Sequence, residues 1–407
     1  MFELIRANKR RAVILMTTMA ILLLALGYGL GYAFWGTPIA GIVVAFIVWC
    51  VLALVTWFQG DSLILAASGA RKIEKKDHPV LFDVVEEMTI AAGLPKMPEV
   101  YILDVEAPNA FATGRNPQRA KIAVTAGLLE RMNRDELQGV IGHEIGHVAN
   151  RDVLYMMIAT VMIGAIVMLA DIGFYGFLFG GGRGGRRTSS SDGGGGQAQV
   201  IMMLVALVLV ILAPILAQLL YFALSRRREY LADASSARYT RYPEGLASAL
   251  QKIASNTTPM PQVNRATAAL YIANPMKTSG RGLADLTSTH PPISERIKIL
   301  RSIHGDTGYA GYDAAFKQVS GRAVGVVPFS ATQETAPAEV RAPTTDTGVD
   351  TPIERKRATT NAMWSAQGYR FVSCPCGTTL KVPPGFPKDV VTCPNCGRDH
   401  ALDASSR

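Results

Sequence analysis

The sequence predicts a mainly helical membrane protein with a small β-sheet and a short cysteine-rich tail. Four apolar runs each exceed the roughly 18–20 residues that cross a bilayer core. Of the 407 residues, 49% are hydrophobic and only 18% are charged, which is more apolar than a typical soluble protein of this length. Four of the five cysteines lie after residue 373, and this clustering differs from the scattered cysteines of a disulfide-stapled secreted protein.

The apolar runs form two pairs and divide the chain into segments. The runs cover residues 12–34, 39–58, about 153–179 and about 200–224. The first two are separated by a short Gly-Thr-Pro turn and predict a hairpin. The second pair either crosses the membrane twice, which we favour, or dips into it without spanning. The predicted segments are a transmembrane hairpin (1–59), the first part of a folded domain (60–152), a hydrophobic hairpin (153–225), the second part of that domain (226–304), a disordered linker (305–363) and a tail (364–407).

The stretch between the second and third runs has the features of a folded domain. The segments EVYILD (99–104) and KIAVTAG (121–127) predict strands, and NAFATGRNPQR between them predicts a strand and a turn. Asn133 is a predicted helix N-cap with Glu136 at the third helical position, which is a variant of the capping box. The helix that Asn133 begins contains the sequence GVIGHEIGH.

Two histidines in this helix have the spacing of metal ligands. His143 and His147 are four residues apart, so on a helix they lie about 40° apart and can bind one Zn²⁺. Glu144 is rotated by about 100° from His143 and can accept a proton from a zinc-bound water. This is the H-E-x-x-H pattern of metalloproteases. The alternative is a polar helix face without metal, but only six histidines occur in the chain and two are here.

A catalytic zinc of this kind needs a third protein ligand. The best candidate is Glu229, in the stretch SRRREYLADASSA, with Asp233 one helical turn later. Asp233 could accept a hydrogen bond from the second ring nitrogen of a ligand histidine, with His143 favoured. Taken alone, both carboxylates would be solvent-exposed charges on a helix. His290 is the main competing third ligand.

Together these stretches resemble the HtpX-type membrane zinc metallopeptidases, relatives of the zinc endopeptidases that process prenylated CAAX proteins. The resemblance covers roughly residues 1–304. It rests on PNAFATGRNP, VTAGLLERMNRDELQGVIGHEIGHVANRDVL, SRRREYLADASSA and STHPPISERI, which occur in the order found in the family. It implies a zincin-like (gluzincin) catalytic domain that cleaves membrane or misfolded proteins in bacterial quality control.

The resemblance also implies roles for particular residues. His143, His147 and Glu229 would bind catalytic zinc, and Glu144 would be the general base. The stretch 109–114 would be an edge strand that pairs with the substrate backbone; its first residues are Asn109, Ala110, Phe111 and Ala112. His290 would lie near the active site and stabilise the tetrahedral oxyanion. The ordinary alternatives are a plain strand and turn for 109–114 and a packing or capping role for His290.

Basic residues beside the apolar runs predict the topology. The clusters Lys9-Arg10-Arg11 and Arg226-Arg227-Arg228 favour a cytoplasmic N-terminus and a cytoplasmic start of the second catalytic part. His143 and Glu229 can share a metal only if the second apolar pair crosses an even number of times. We therefore expect a multi-pass protein of the bacterial inner membrane, with its catalytic domain and tail in the cytoplasm. The three arginines at 183, 186 and 187 do not fit this topology, because two crossings by the second apolar pair place them on the outer side of the membrane.

The same charges bear on possible partners. The formal net charge is +9, and much of it flanks apolar runs, so membrane topology explains it better than a nucleic-acid surface. The sequence contains no GxxxxGK[ST] loop, which argues against ATP-driven work by this chain. Expected partners are therefore the membrane and protein substrates.

The tail predicts a second, structural zinc site. In CPCGTTLKVPPGFPKDVVTCPNCG, a Cys-x-Cys pair precedes a Cys-x₂-Cys pair, as in a zinc ribbon. The predicted ligands are Cys374, Cys376, Cys393 and Cys396, with His400 as an alternative for one sulfur. The ribbon would be a tethered recognition module. A non-catalytic, zinc-bound membrane scaffold is the alternative function of the whole chain, but such a scaffold does not need Glu144.

Overall fold

The structure is a computed structural model. It describes residues 2–180, 195–260, 271–273, 290–333, 337–344 and 351–402. The predicted connection between the third and fourth apolar runs, with its three arginines, lies mostly outside these residues.

The described residues are mainly helical, with twelve α-helices and one short 3₁₀ helix, Pro117–Arg119. The α-helices are α1 (Phe2–Trp35), α2 (Pro38–Ala67), α3 (Pro79–Ala91), α4 (Ala126–Arg131), α5 (Arg134–Ala149), α6 (Val153–Gly180), α7 (Gly195–Thr240), α8 (Pro243–Ser255), α9 (Ile293–Arg301), α10 (Tyr309–Ser320), α11 (Phe329–Gln333) and α12 (Pro352–Ala366). Two of them, α6 and α7, contain the second pair of apolar runs. Helix α7 continues without a break through Pro214 to Thr240, so the fourth apolar run and the stretch with Glu229 form one element.

Three described helices are long and apolar enough to cross a membrane. The candidate spans are Val13–Trp35, Pro38–Ala67 and Val153–Gly176, and a shorter apolar stretch, Met203–Leu219, lies in α7. Helices α1 and α2 pack closely because glycines face each other: a Cβ on Gly41 would lie 2.0 Å from the carbonyl oxygen of Gly27. Small residues at such contacts are typical of membrane helix pairs. A fourth crossing, by α7, stays a prediction.

The first catalytic part, residues 60–152, contains a four-stranded sheet. Its strands are β1 (Arg71–Lys72), β2 (Glu99–Leu103), β3 (Ala110–Thr113) and β4 (Lys121–Thr125), in the order β1-β2-β4-β3. Strand β2 is parallel to β4, whereas β3 is antiparallel to β4. Strand β3 is therefore an edge strand among the described residues. The predicted strand 121–127 ends two residues early, because Thr125 caps α4 by accepting a hydrogen bond from the Leu128 N–H.

Helix α5 crosses the core of the domain between α7 and α8. Its glycines allow close approach to both neighbours: a Cβ on Gly139 would lie 2.5 Å from the backbone nitrogen of Leu246, and a Cβ on Gly146 would lie 2.9 Å from the Cβ of Ser235. The hydroxyl of Ser236 donates a 2.7 Å hydrogen bond to the Gly139 carbonyl. These contacts hold α5 and α7 side by side.

The predicted disordered linker, 305–363, is not a linker in its described parts. Helices α10, α11 and α12 lie there, and we call residues 305–366 the extension. Tyr312 and Phe316 of α10 are buried, and the Phe316 ring meets Tyr230 of α7 edge to face at 4.9 Å. Arg341 donates a 2.6 Å bond to Asp135 in the first turn of α5. Composition suggested disorder, but the buried apolar side chains of the extension complete the core of the catalytic part.

The tail forms two hairpins. Strands β5 (Arg370–Ser373) and β6 (Thr379–Val382) pair antiparallel, as do β7 (Val390–Thr392) and β8 (Asp399–Ala401). In each hairpin the turn is closed at a cysteine: the Gly377 N–H donates to the Cys374 carbonyl, and the Gly397 N–H donates to the Cys393 carbonyl. The two turns face each other.

Candidate active site

Helix α5 carries the H-E-x-x-H residues in the interior of the domain. The predicted capping box is confirmed, since Asn133 and Glu136 exchange side-chain-to-backbone hydrogen bonds of 2.9 Å. Acidic residues in the first turn also complement the helix dipole. Beyond this turn His143, Glu144 and His147 are buried.

Helix α7 brings a buried carboxylate to both histidines. Glu229 Oε2 lies 3.6 Å from His143 Nε2, and Glu229 Oε1 lies 3.3 Å from His147 Nε2. One candidate ligand atom from each residue lies within 4.8 Å of the others. We call His143, His147 and Glu229 the histidine–glutamate cluster.

A further carboxylate contacts each histidine at its other ring nitrogen and orients the ring. Asp233, one turn after Glu229 on α7, places Oδ1 2.9 Å from His143 Nδ1. Asp152, just after α5, places Oδ2 3.5 Å from His147 Nδ1. In both rings the nitrogen turned away from the cluster therefore faces a carboxylate, an arrangement that fixes the tautomer and orientation of metal-binding histidines.

Sequence reasoning missed a fully buried arginine behind the cluster. Arg296 on α9 binds Asp233 as a fork, with Nε to Oδ2 at 2.8 Å and Nη2 to Oδ1 at 2.6 Å. Its Nη1 donates to the Ile272 carbonyl at 3.0 Å and lies 3.4 Å from Glu229 Oε2. The sequence pattern around Arg296 shows only one charged residue on an amphipathic helix. The one signal that could have singled it out is its place in the family-like stretch STHPPISERI.

Glu144 lies between the cluster and edge strand β3. The residue is 1% exposed, and the backbone amide of Ala112 on β3 lies near enough to its carboxylate to act on its pKa. Burial is the main reason that the pKa of Glu144 is raised. A carboxylate with a raised pKa is better suited to take up a proton near neutral pH.

His290 also reaches the site. Its Nε2 lies 3.7 Å from Glu229 Oε2, and the ring is buried. Burial lowers the pKa of His290 and outweighs the attraction of Glu229, which raises it. The candidate metal-ligand group at this site contains Glu229 and the two α5 histidines but not His290.

The electrostatics of the cluster favour bound positive charge. Burial lowers the pKa of His147, but the neighbouring carboxylates of Asp152 and Glu229 outweigh it and raise the pKa to about 10. Burial likewise opposes charge on His143, but the neighbouring carboxylates of Asp233 and Glu229 outweigh it and raise its pKa. Burial raises the pKa of Glu229, but the field of His290 and the neighbouring rings of His143 and His147 lower it well below its usual range. A metal ion and protons compete for the same ring nitrogens.

The donor set fits a divalent metal. Two histidine nitrogens and one carboxylate are the ligands of a common class of catalytic zinc sites. Within the described residues, His143 Nε2 and Glu229 Oε2 are buried without a hydrogen-bond partner. Unpaired buried polar atoms are costly, and a coordinated metal would satisfy both.

The tail cysteines also come together. Cys374 Sγ lies 3.4 Å from Cys396 Sγ, and Cys376 Sγ lies 3.7 Å from Cys393 Sγ. All four sulfurs lie within 4.8 Å of one another, so this group could hold a metal ion. His400 is on β8 and is not in the group.

Comparison with known proteins gives the family. The profile of peptidase family M48 matches residues 75–304. The chain is 43% identical over 304 residues to a protease HtpX homolog of Streptococcus gordonii, covering 74% of this chain and 100% of that protein. It is 45% identical over 300 residues to one of Dictyoglomus thermophilum, with 74% and 94% covered.

Among solved structures, the chain is similar to the crystal structure of S. mikatae Ste24p, with 18% identity, 74% of this chain and 67% of that chain covered, and a TM-score of 0.40. This similarity is too low to establish a common fold. The family profile covers more than half of the chain, and the curated relatives are matched over nearly their whole length. The extension and tail lie beyond the matched region. The chain therefore belongs to peptidase family M48, and it is a metalloprotease.

Proposed function

We propose that this protein is a zincin-like zinc endopeptidase of the bacterial inner membrane that cleaves membrane or misfolded proteins in quality control. The observation that carries the proposal is the convergence of His143, His147 and Glu229, with Glu144 buried between this cluster and an edge strand. A structural metal site has no use for a buried carboxylate with a raised pKa beside it.

In this proposal each residue has one task. The zinc, when bound by His143, His147 and Glu229, supplies Lewis acidity and lowers the pKa of a water molecule. Glu144 takes the proton from the attacking water and then delivers it to the leaving amine. His290 donates a hydrogen bond to the oxyanion. Asp233, which Arg296 holds in place, keeps His143 in the orientation for metal binding.

The substrate would bind along β3. This strand is at the sheet edge, and the Ala112 backbone amide lies beside Glu144. A polypeptide that pairs with the edge would pass Glu144 in an extended conformation, and main-chain hydrogen bonds would supply affinity without strong sequence preference. Such a mode suits unfolded or misfolded segments.

The direct test compares four proteins in one detergent: wild type, Glu144→Gln, Glu229→Ala and Glu86→Gln. Glu86 is an exposed α3 glutamate, so its substitution is the matched control. We expect Glu144→Gln to keep its zinc and lose at least about 10²-fold in kcat, the lower range for general-base loss. Glu229→Ala should lose both the catalytic zinc and activity, and Glu86→Gln neither. Undiminished cleavage by Glu144→Gln would refute the catalytic role.

For the membrane topology we propose four crossings, with the active site and tail in the cytoplasm. The basic clusters at 9–11 and 226–228 support this orientation. Single cysteines at exposed positions, introduced into a background without native cysteines, should be protected from an impermeant thiol reagent in intact cells when placed in α3 or α8. Labelling from outside would overturn the orientation.

For the tail we propose a Cys₄ structural zinc site. Two facing turns, each closed at a cysteine, support it, and such sites are closed to substrate. Wild type should contain two zinc ions per chain. A Cys376→Ser, Cys396→Ser variant and Glu229→Ala should each contain one, and only the latter should lose catalysis directly. One zinc per chain in wild type and in the cysteine variant would refute the second site.

A further inference from the structure

The outer side of β3 is the surface on which a substrate strand would lie. In the antiparallel ladder with β4, the Asn109 carbonyl accepts a bond from the Thr125 N–H, so Asn109 faces β4. Successive residues alternate direction in such a ladder, and the backbone groups of Ala110 and Ala112 therefore face outward. The Ala112 backbone amide lies beside Glu144.

A short stretch of the chain already lies on this outer side. Tyr271, Ile272 and Ala273, which we call the edge-bound segment, are all at most 4% exposed. The Ile272 N–H donates a 3.0 Å hydrogen bond to the Ala110 carbonyl, and the Asn109 side chain donates a 3.0 Å bond to the Ala273 carbonyl. The segment is a bend and not a strand, but its N–H occupies the carbonyl that a strand added to the sheet edge would use.

Side chains reinforce the same placement. The Tyr271 ring meets the Phe111 ring edge to face, with a centroid distance of 5.0 Å. Arg296, which holds Asp233 behind the histidine–glutamate cluster, also donates to the Ile272 carbonyl at 3.0 Å. The edge-bound segment is thus tied both to the substrate edge and to the residues that support the metal ligands.

Its position is within reach of the reacting centre. Ala110 and Ala112 are two residues apart on one strand, which is about 6.8 Å. A substrate backbone that passes Glu144 at Ala112 and continues along the edge would reach the Ala110 carbonyl. Paired strands are about 4.8 Å apart, so this edge has room for one strand at that level.

We propose that the edge-bound segment is an internal, autoinhibitory occupant of the substrate edge, and that a substrate backbone pairs with Ala110 only after the Ile272 N–H has left it. This inference rests on the proposed function, since it presumes that β3 binds substrate. The segment also shields Ala110 in the free enzyme. Long unfolded chains, which pair along more of the edge, displace the segment better than short peptides do.

The test removes the occupying hydrogen bond. Ile272→Pro lacks the N–H, and Ile272→Ala is the matched control that keeps it while losing the side chain. With unfolded casein as the substrate, Ile272→Pro should have a KM about two- to tenfold below that of Ile272→Ala, in line with one net hydrogen bond, at similar kcat. An equal or higher KM in a folded, zinc-loaded Pro variant would overturn the proposal.

If the Ile272→Pro variant does not fold, amide hydrogen exchange tests the same proposal without it. In zinc-loaded Glu144→Gln, which should bind casein without cleaving it, the Ile272 amide should be protected in the free protein and exchange at least tenfold faster with casein bound. The β4 amides should stay protected. An Ile272 amide that stays protected in the complex would overturn the proposal. Failure of wild type to cleave casein or a membrane protein would instead count against the proposed function.

Discussion

Replacing Arg296 with methionine is the sharpest test of the arrangement behind the metal ligands. Methionine fills a similar apolar volume without the guanidinium group. The substitution removes two charged hydrogen bonds to Asp233, at 2.8 and 2.6 Å, and one to the Ile272 carbonyl at 3.0 Å. Because Arg296 is 0% exposed, water does not replace these bonds.

The expected loss can be bounded from these contacts. Removing one partner of a buried ion pair costs about 3–5 kcal/mol, and leaving a buried carbonyl unpaired costs about 1–3 kcal/mol more. The two costs overlap, so we expect the free energy of unfolding to fall by about 4 kcal/mol. Arg296 also helps to keep the pKa of Asp233 low against the effect of burial, which raises it. With the cation gone, the pKa of Asp233 rises and its carboxylate is held less firmly, so it orients His143 less well and zinc affinity falls about 10–100-fold.

The assay is a double-mutant cycle. Arg296→Met, Asp233→Asn and the double variant are compared with wild type by denaturant unfolding in detergent and by zinc competition with a chelator. The double variant should be clearly more stable than the sum of the single losses predicts, with a coupling energy above about 1.5 kcal/mol. Arg296→Lys should be intermediate, since lysine supplies charge without the planar fork.

Two results would refute the reasoning. One is an Arg296→Met protein that unfolds within about 0.5 kcal/mol of wild type, the range of ordinary surface changes. The other is additive single losses, which would mean that Arg296 and Asp233 do not act as a pair. If Arg296→Met loses stability but keeps its zinc affinity, Arg296 stabilises the fold and does not position His143.

Further predictions concern the packing around α5. Gly139→Ala should lower the free energy of unfolding by about 1–3 kcal/mol, because its Cβ would meet α8 backbone at 2.5 Å. The control is Gly164→Ala in α6, which should not lower it, since a Cβ there would meet nothing within 4 Å. Thermal unfolding of both variants measures the difference. Arg341→Ala should cost about 1.5–3 kcal/mol at pH 7 by removing a charged bond to Asp135. Burial raises the pKa of Asp135, but bonds from the extension outweigh it and lower the pKa, so this stabilisation is complete above about pH 4 and is lost as the pH falls through the lower folded value. The difference between the melting temperatures of wild type and Arg341→Ala should therefore be smaller at pH 3 than at pH 7. A difference that does not change with pH would contradict the ion pair. Truncation after residue 304 should lower the melting temperature of the catalytic part, because it uncovers apolar core surface; an unchanged melting temperature would show that the extension is dispensable.

The parts of the site that could be predicted are encoded locally. The capping box of Asn133 and Glu136 begins α5 by bonds within four residues, and the spacing of His143 and His147 puts both rings on one helix face. Glu229 and Asp233 follow the same periodicity. Patterns of this range are readable without knowing the fold.

The missed parts depend on contacts between distant segments. Arg296 has an ordinary place on an amphipathic helix, and only the fold brings it to Asp233, 63 residues away. The extension is rich in Thr, Pro and Ala, and its helices are stabilised by burial of side chains such as Phe316 against α7. The basic cluster at 226–228 looked like a boundary between two elements, but α7 runs through it.

The unbroken course of α7 gives the protein a mechanical link between the bilayer and the metal site. Glu229 lies 15 residues beyond Pro214 in the same helix, which is about 22 Å at 1.5 Å per residue. If the apolar part tilts by about 5° around the proline, the carboxylate moves by about 2 Å at this rise per residue. That displacement is as large as a zinc–oxygen bond, so a change in bilayer thickness or a bound membrane segment that tilts α7 would reach the ligand geometry directly.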